Sequence, residues 1–123
     1  MSIKVVIVGL GKAGAAVFGQ LSGRQAQGIH IIGVSELNDT PGRQEAVAAG
    51  VPLMSLDEVK ELGAGVDLIF DMTGHPAIRK QMREMLFASE NRHTVIAPEN
   101  VALLIWALLS GEPVPEQNQR SGY

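Results

Sequence analysis

The sequence contains no cysteine. Disulfides, thiolate-ligated zinc and a cysteine nucleophile are therefore excluded, and the absence fits a reducing compartment. A basic excess is missing too. Ten Lys and Arg stand against 13 Asp and Glu, a formal net charge of −3. Nucleic-acid surfaces carry a basic stripe, so no nucleic-acid partner is expected. Long hydrophobic runs are also lacking. The most apolar segment, residues 101–109, has nine residues, against the roughly 20 that span a bilayer. The N-terminal run Met-Ser-Ile-Lys-Val-Val-Ile-Val is interrupted at Lys4 and stopped by Gly9, too short for a secretory leader. The expectation is a cytoplasmic protein without a membrane partner. Three histidines, His30, His75 and His93, show no metal-ligand spacing, so no metal is expected.

What is present is a packed composition: 123 residues, 46% hydrophobic and 19% charged. That is one globular domain with enough chain for a core. Strand and helix signals alternate. Residues 5–8 are β-branched throughout and read as a strand buried on both faces. Further strands are expected at residues 29–34, 51–54, 66–70 and 94–96, with Pro52 pushing the third to the sheet edge. Helices are expected at residues 15–21, 41–49, 76–88 and 99–110. Thr40 caps the second of these, with Pro41 in its first turn. Ser55 and Glu58 form a capping box that opens a further short helix. Along residues 76–88, Ile78, Met82, Met85 and Leu86 share one face, and Arg79, Lys80, Arg83 and Glu84 point the other way. Strand–helix alternation of this length means βαβ units. The expected fold is α/β: a five-stranded parallel sheet in the order 3-2-1-4-5, helices on both faces. Residues 1–110 form this domain, and residues 111–123 read as a flexible Pro-, Gln- and Gly-rich tail.

The functional signal is Gly9-Leu10-Gly11-Lys12-Ala13-Gly14, a GxGxxG pattern between a strand and a helix. In that context Gly9 permits the tight turn and Gly11 lets a pyrophosphate approach the backbone. Gly14 lets the helix pack close to the strand, and the helix N-terminus faces the phosphates. Glu36 ends the second strand, 22 residues beyond Gly14, near the spacing of an acid that holds the adenosine ribose. A carboxylate there repels a 2′-phosphate and favours NAD over NADP. Arg43 could soften that preference, and Asp39 is a competing acid. Asp71, Thr73, Gly74 and His75 follow the fourth strand, where an open parallel sheet binds ligands at its switch point. Thr73 is placed to bond a ribose or phosphate. His75 and Asp71 are the weak candidates for acid–base work, and a helix-start histidine reads equally as a surface or capping residue.

The run from Val5 to about Leu109 resembles the NAD(P)-binding domain of homoserine dehydrogenases, aspartate dehydrogenases and the glucose–fructose oxidoreductase family. The residues that carry the resemblance are 8–14, Gly-Val-Ser-Glu at 33–36, Asp-Leu-Ile-Phe-Asp-Met-Thr-Gly at 67–74, and Val-Ile-Ala-Pro-Glu-Asn at 95–100. The chain is especially similar to versions fused to bacterial signalling proteins. The resemblance implies that Gly9, Gly11 and Gly14 hold the pyrophosphate, Glu36 the ribose, and Thr73 and Gly74 the nicotinamide side. Glucose–fructose oxidoreductase relatives often carry a catalytic lysine after the fifth strand. Here that stretch is Ile96-Ala97-Pro98-Glu99, without one. Nor does the length leave room for a substrate domain.

The last helix carries an apolar stripe of Val101, Leu104, Ile105, Leu108 and Leu109, with Ala102, Leu103, Trp106 and Ala107 on the other side. A helix apolar all round is buried on more than one side. Either a second copy docks on residues 99–110, giving a homodimer, or the tail folds back over Trp106. Two functions fit these residues. One is a non-catalytic NAD(P)-binding module, sensory or regulatory. The other is a small oxidoreductase, or the cofactor-binding subunit of a two-chain dehydrogenase. Binding of coenzyme A or another adenine nucleotide through the same loop is a weaker third reading.

Overall fold

The protein is described by a computed structural model over residues 1–115. Four strands, β1 (Ile3–Val8), β2 (Ile29–Ser35), β3 (Leu68–Asp71) and β4 (Val95–Ala97), form one sheet in the order β2-β1-β3-β4, every pair parallel. Helices α1 (Lys12–Leu21), α2 (Pro41–Ala48), α3 (Leu56–Glu61), α4 (Pro76–Ala88) and α5 (Glu99–Ser110), with short 3-10 turns at Gln25–Gln27 and Gly63–Gly65, complete the described elements. The period-two alternation of β1 explains its unbroken apolar run. Val5 and Ile7 pack with Phe18, Leu103 and Ala102 from α1 and α5. Val6 and Val8 pack with Val59 and Met82 from α3 and α4. Both faces of the strand are thereby covered.

The expected five-stranded sheet in the order 3-2-1-4-5 is not what forms. Residues 51–54 make only an isolated parallel bridge, Val34 to Leu53. Pro52 and Met54 face β2: the Val34 amide donates to the Pro52 carbonyl at 3.0 Å, and the Met54 amide to the Val34 carbonyl at 2.7 Å. The next donor toward β2 would be the N–H of residue 52, and proline has none. The ladder stops there.

Helix α1 begins at Lys12, three residues earlier than expected, so Gly14 lies inside its first turn. The capping box at Ser55 and Glu58 is present. Helices α4 and α5 have their expected bounds. On α5, Ala102 and Leu103 are the buried residues, Ile105 and Trp106 pack partly on the core, and Val101, Leu104, Leu108 and Leu109 are exposed. The tail expected over residues 111–123 lies outside the described residues beyond Pro115, as does its fold-back over Trp106. Among the described residues no helix is long and apolar enough to cross a membrane.

The amino edge of the sheet is tied by side chains. The Lys4 amide donates to Asp67 Oδ2 at 2.8 Å, and His93 Nε2 lies 2.5 Å from Asp67 Oδ1. The Lys4 amide first, and the His93 ring second, hold the Asp67 carboxyl below its ordinary range.

Candidate functional site

The carboxyl ends of β1, β2 and β3 meet at a crest built on close backbone approaches. Gly9 has φ +96°, in the left-handed region open to glycine. A Cβ on it would stand 2.8 Å from the Met72 carbonyl carbon and the Thr73 nitrogen. Its own amide donates to the Ser35 carbonyl at 2.8 Å. A Cβ on Gly14 would sit 1.9 Å from the Gly9 carbonyl oxygen, so α1 can start against the strand end only because residue 14 lacks one. Gly11 is the N-cap of α1.

Glu36 is 3% exposed and reaches the glycine loop. The Leu10 amide donates to its Oε1 at 2.7 Å, and the Asn38 amide to its Oε2 at 3.1 Å. Asp39, the competing acid, is exposed and instead accepts from Gln44 Nε2. Arg43 donates to the Leu37 carbonyl at 3.2 Å. Thr40 caps α2 by accepting from the Arg43 amide, and its hydroxyl also donates to the Leu10 carbonyl at 2.8 Å. Leu10 is thus gripped by Glu36 at its amide and Thr40 at its carbonyl. Gly42 completes the contact: a Cβ there would stand 2.7 Å from the Leu10 carbonyl oxygen. The sequence reading missed Gly42. A glycine inside the first turn of a capped helix was the available signal, since that position is otherwise unfavourable.

The β3 end is organised by Asp71, which is 1% exposed. Its Oδ1 accepts from the Thr73 amide and hydroxyl, at 3.1 and 2.7 Å. Its Oδ2 accepts from Arg79 Nε at 2.9 Å. The Thr73 hydroxyl also accepts from the His75 amide at 3.1 Å. The proton and one of the two lone pairs of that hydroxyl are used inside the turn, and Thr73 is buried, so Thr73 shapes the crest from within. Arg79 does not point to solvent with Lys80, as helical periodicity suggested. It turns back, because a buried carboxylate at a strand end requires charge compensation. His75 occupies the N-cap position of α4, half-buried, with no side-chain cap bond. Lys12 and Gly74 stand at the rim, Lys12 exposed and Gly74 half-buried.

The chemistry on offer is that of binding. The α1 N-terminus is capped by a glycine and has no acid in its first turn, so the partial positive charge of the helix end is compatible with an anion. Leu10 and Ala13 are buried within the loop. Among the described residues no group of three His, Asp or Glu side chains converges as a metal site.

No protein-family model and no curated protein sequence matches the chain. Solved structures are similar to it. A homoserine dehydrogenase from S. aureus at pH 7.0 superposes with a TM-score of 0.60 and 16% identity, over 90% of this chain and 30% of that one. The same enzyme at pH 6.0 gives 0.58 and 15%, over 89% and 30%. A homoserine dehydrogenase from Thiobacillus denitrificans gives 0.57 and 16%, over 87% and 28%. The chain therefore spans about a third or less of the length of these enzymes. At these identities the likeness is one of fold, and at that level the resemblance to homoserine dehydrogenases holds.

Proposed function

We propose that this chain binds a nicotinamide dinucleotide across the crest, and NAD in preference to NADP. The observation that carries the reading is the 2.7 Å bond from the Leu10 amide to Glu36. It brings an acid at the end of the second strand to the glycine loop, where a ribose beside a loop-bound pyrophosphate would lie. The residues fit that group. The loop of Gly9, Leu10, Gly11, Lys12, Ala13 and Gly14 would bring the α1 N-terminus, with its partial positive charge, to the phosphates. Glu36 would accept from the ribose hydroxyls and repel a 2′-phosphate. Thr73 and Gly74 would border the nicotinamide. Arg43, which could offset the repulsion, is held on the Leu37 carbonyl. The similar structures are dehydrogenases by name, which supports the same cofactor class by analogy of fold.

The reading favours a binding module with a sensory or regulatory role over catalysis by these residues. Asp71 is buried and committed to Arg79 and Thr73, and so is poorly placed to exchange protons with a ligand. A second reading keeps His75 as an acid–base group in a small oxidoreductase or a cofactor-binding subunit; its half-buried place at the β3 crest favours it. The nicotinamide, when bound, would supply a hydride donor or acceptor. Self-association through the outer face of α5, with Val101, Leu104, Leu108 and Leu109 exposed, belongs to the same proposal. Exposed apolar patches mark contacts, and a monomer by light scattering at tens of micromolar would remove it.

The test is isothermal titration with NAD, NADH, NADP, NADPH and coenzyme A. Micromolar affinity for NAD or NADH, with weaker binding of the phosphorylated pair, is expected. Preference for NADP would overturn the assigned role of Glu36. Binding of coenzyme A alone, or of none of the five, would overturn the reading as a whole. Hydride transfer from NADH to a carbonyl panel by the protein alone would favour the enzyme.

A further inference from the structure

Beside the crest, at the end of β3, lies a recess of about 300 Å³ lined by Gly74, His75, Pro76, Arg79 and Arg83. No acid lines it. Arg79 enters by one edge only. Its Nε is fixed on the buried Asp71 at 2.9 Å, while Nη1 and Nη2 have no hydrogen-bond partner among the described residues. Arg83 stands one helical turn further on, and its guanidinium has no partner among the described residues either. Glu84, the nearest acid along the helix, lies 3.9 Å from Lys80 instead. Two like charges four residues apart destabilise a helix unless something of opposite sign stands between them. The buried Asp71 answers only one face of one arginine, so the recess keeps an excess of positive charge.

We propose that this recess binds the carboxylate or phosphate end of a second small molecule, next to the dinucleotide. A guanidinium presents a planar fork of N–H donors matched to two oxygens of such a group. Arg79 is oriented for this before any ligand arrives, because Asp71 holds its inner edge. Gly74 lines the recess, beside the strand-order reversal between β1 and β3 where ligands collect in open parallel sheets. The placement beside the nicotinamide rests on the function proposed above; the anion site itself does not.

The experiment titrates the whole chain with succinate and with inorganic phosphate, each with and without saturating NAD. Sodium chloride at matched ionic strength is the control for general charge attraction. Arg83→Gln is the variant, since Arg83 is exposed and has no hydrogen-bond or ion-pair partner among the described residues. Millimolar binding of one probe is expected, weakened by about tenfold or more in Arg83→Gln, as loss of a charge-assisted bond implies. Tighter binding of succinate assigns a carboxylate ligand, and tighter binding of phosphate a phosphorylated one. Saturating NAD should leave the affinity unchanged or improve it. No binding beyond chloride overturns the proposal, and so does equal binding by Arg83→Gln. Full displacement by NAD also overturns it, because the arginines would then serve the dinucleotide. If NAD fails to bind while the anion binds through Arg83, the dinucleotide reading falls and this one stands.

Discussion

The two ends of the sheet solve the same local problem differently. Each holds a carboxylate that accepts a backbone amide: Glu36 from Leu10 at 2.7 Å, and Asp67 from Lys4 at 2.8 Å. Glu36 is 3% exposed, whereas the Asp67 side chain is 30% exposed. Glu36 accepts from two main-chain amides, in a crest drawn together by Gly9, Gly14 and Gly42. Around Asp67, beyond the Lys4 amide, side chains make the ties. His93 pairs with it, the Thr94 hydroxyl donates to the Val66 carbonyl at 2.7 Å, and Asn91 accepts from the His93 and Thr94 amides. An exposed tie such as the Asp67–His93 pair can be exchanged with a small loss. A crest made of touching backbone cannot, because every added side chain is a collision.

The sharpest way to break that contrast is Gly14→Ala. Replacing a helical glycine gains about 1 kcal/mol of propensity. The new methyl would meet a backbone oxygen at 1.9 Å, and overpacking of this kind costs about 1–3 kcal/mol or more. We expect urea denaturation to show a net loss of at least about 1 kcal/mol, together with loss of dinucleotide binding. Unchanged stability would mean that the strand end and the helix part freely. Next is Glu36→Gln. The amide keeps one acceptor but sets an NH2 group against the other backbone donor, a buried mismatch of about 1–3 kcal/mol. Stability and NAD affinity should fall together, and unchanged affinity would show that another acid meets the ribose. Thr40→Ala removes a cap and the grip on the Leu10 carbonyl, for about 1 kcal/mol in the thermal midpoint analysis. A loss seen equally with Thr40→Ser would point to packing of the methyl instead.

Asp67→Asn should have the smallest effect. The carboxyl of Asp67 is held below its ordinary range in the folded protein. Its stabilising contribution is therefore complete above the unfolded value of about 4 and fades as pH drops through the lower folded value. The thermal midpoint of the variant should trail the wild type slightly at pH 7, and the gap should narrow below pH of about 4. A gap of constant size across that window would show that the ionised carboxylate adds nothing to this edge.

Features governed by neighbouring residues were legible in the sequence. Ser55 with Glu58, Pro76 at the start of α4 and Gly111 after α5 mark their own helix ends. The glycine pattern marks the turn at the end of β1, and the spacing that singles out Glu36 rather than Asp39 matches the acid whose side chain reaches that loop. What escaped depends on contacts between distant elements. Pro52 announced an edge, but the loss of the strand followed from which side its missing N–H faces. Arg79 shares its helix face with exposed Lys80 and Arg83, and only the burial of Asp71 explains why it turns inward. Helix α5 is apolar on every side, so no periodicity could say which side meets the core.

Glu36 has one further consequence, and it is entropic. A glutamate on a free surface surrenders up to about 1.5–2 kcal/mol of rotamer freedom when a ligand fixes it. Here the side chain is already immobilised by Leu10 and Asn38. Folding has absorbed that ordering, so a ribose hydroxyl bound as proposed would meet an acceptor already fixed in place. If the proposed complex forms, binding is spared that ordering cost, which is what preorganisation means in thermodynamic terms.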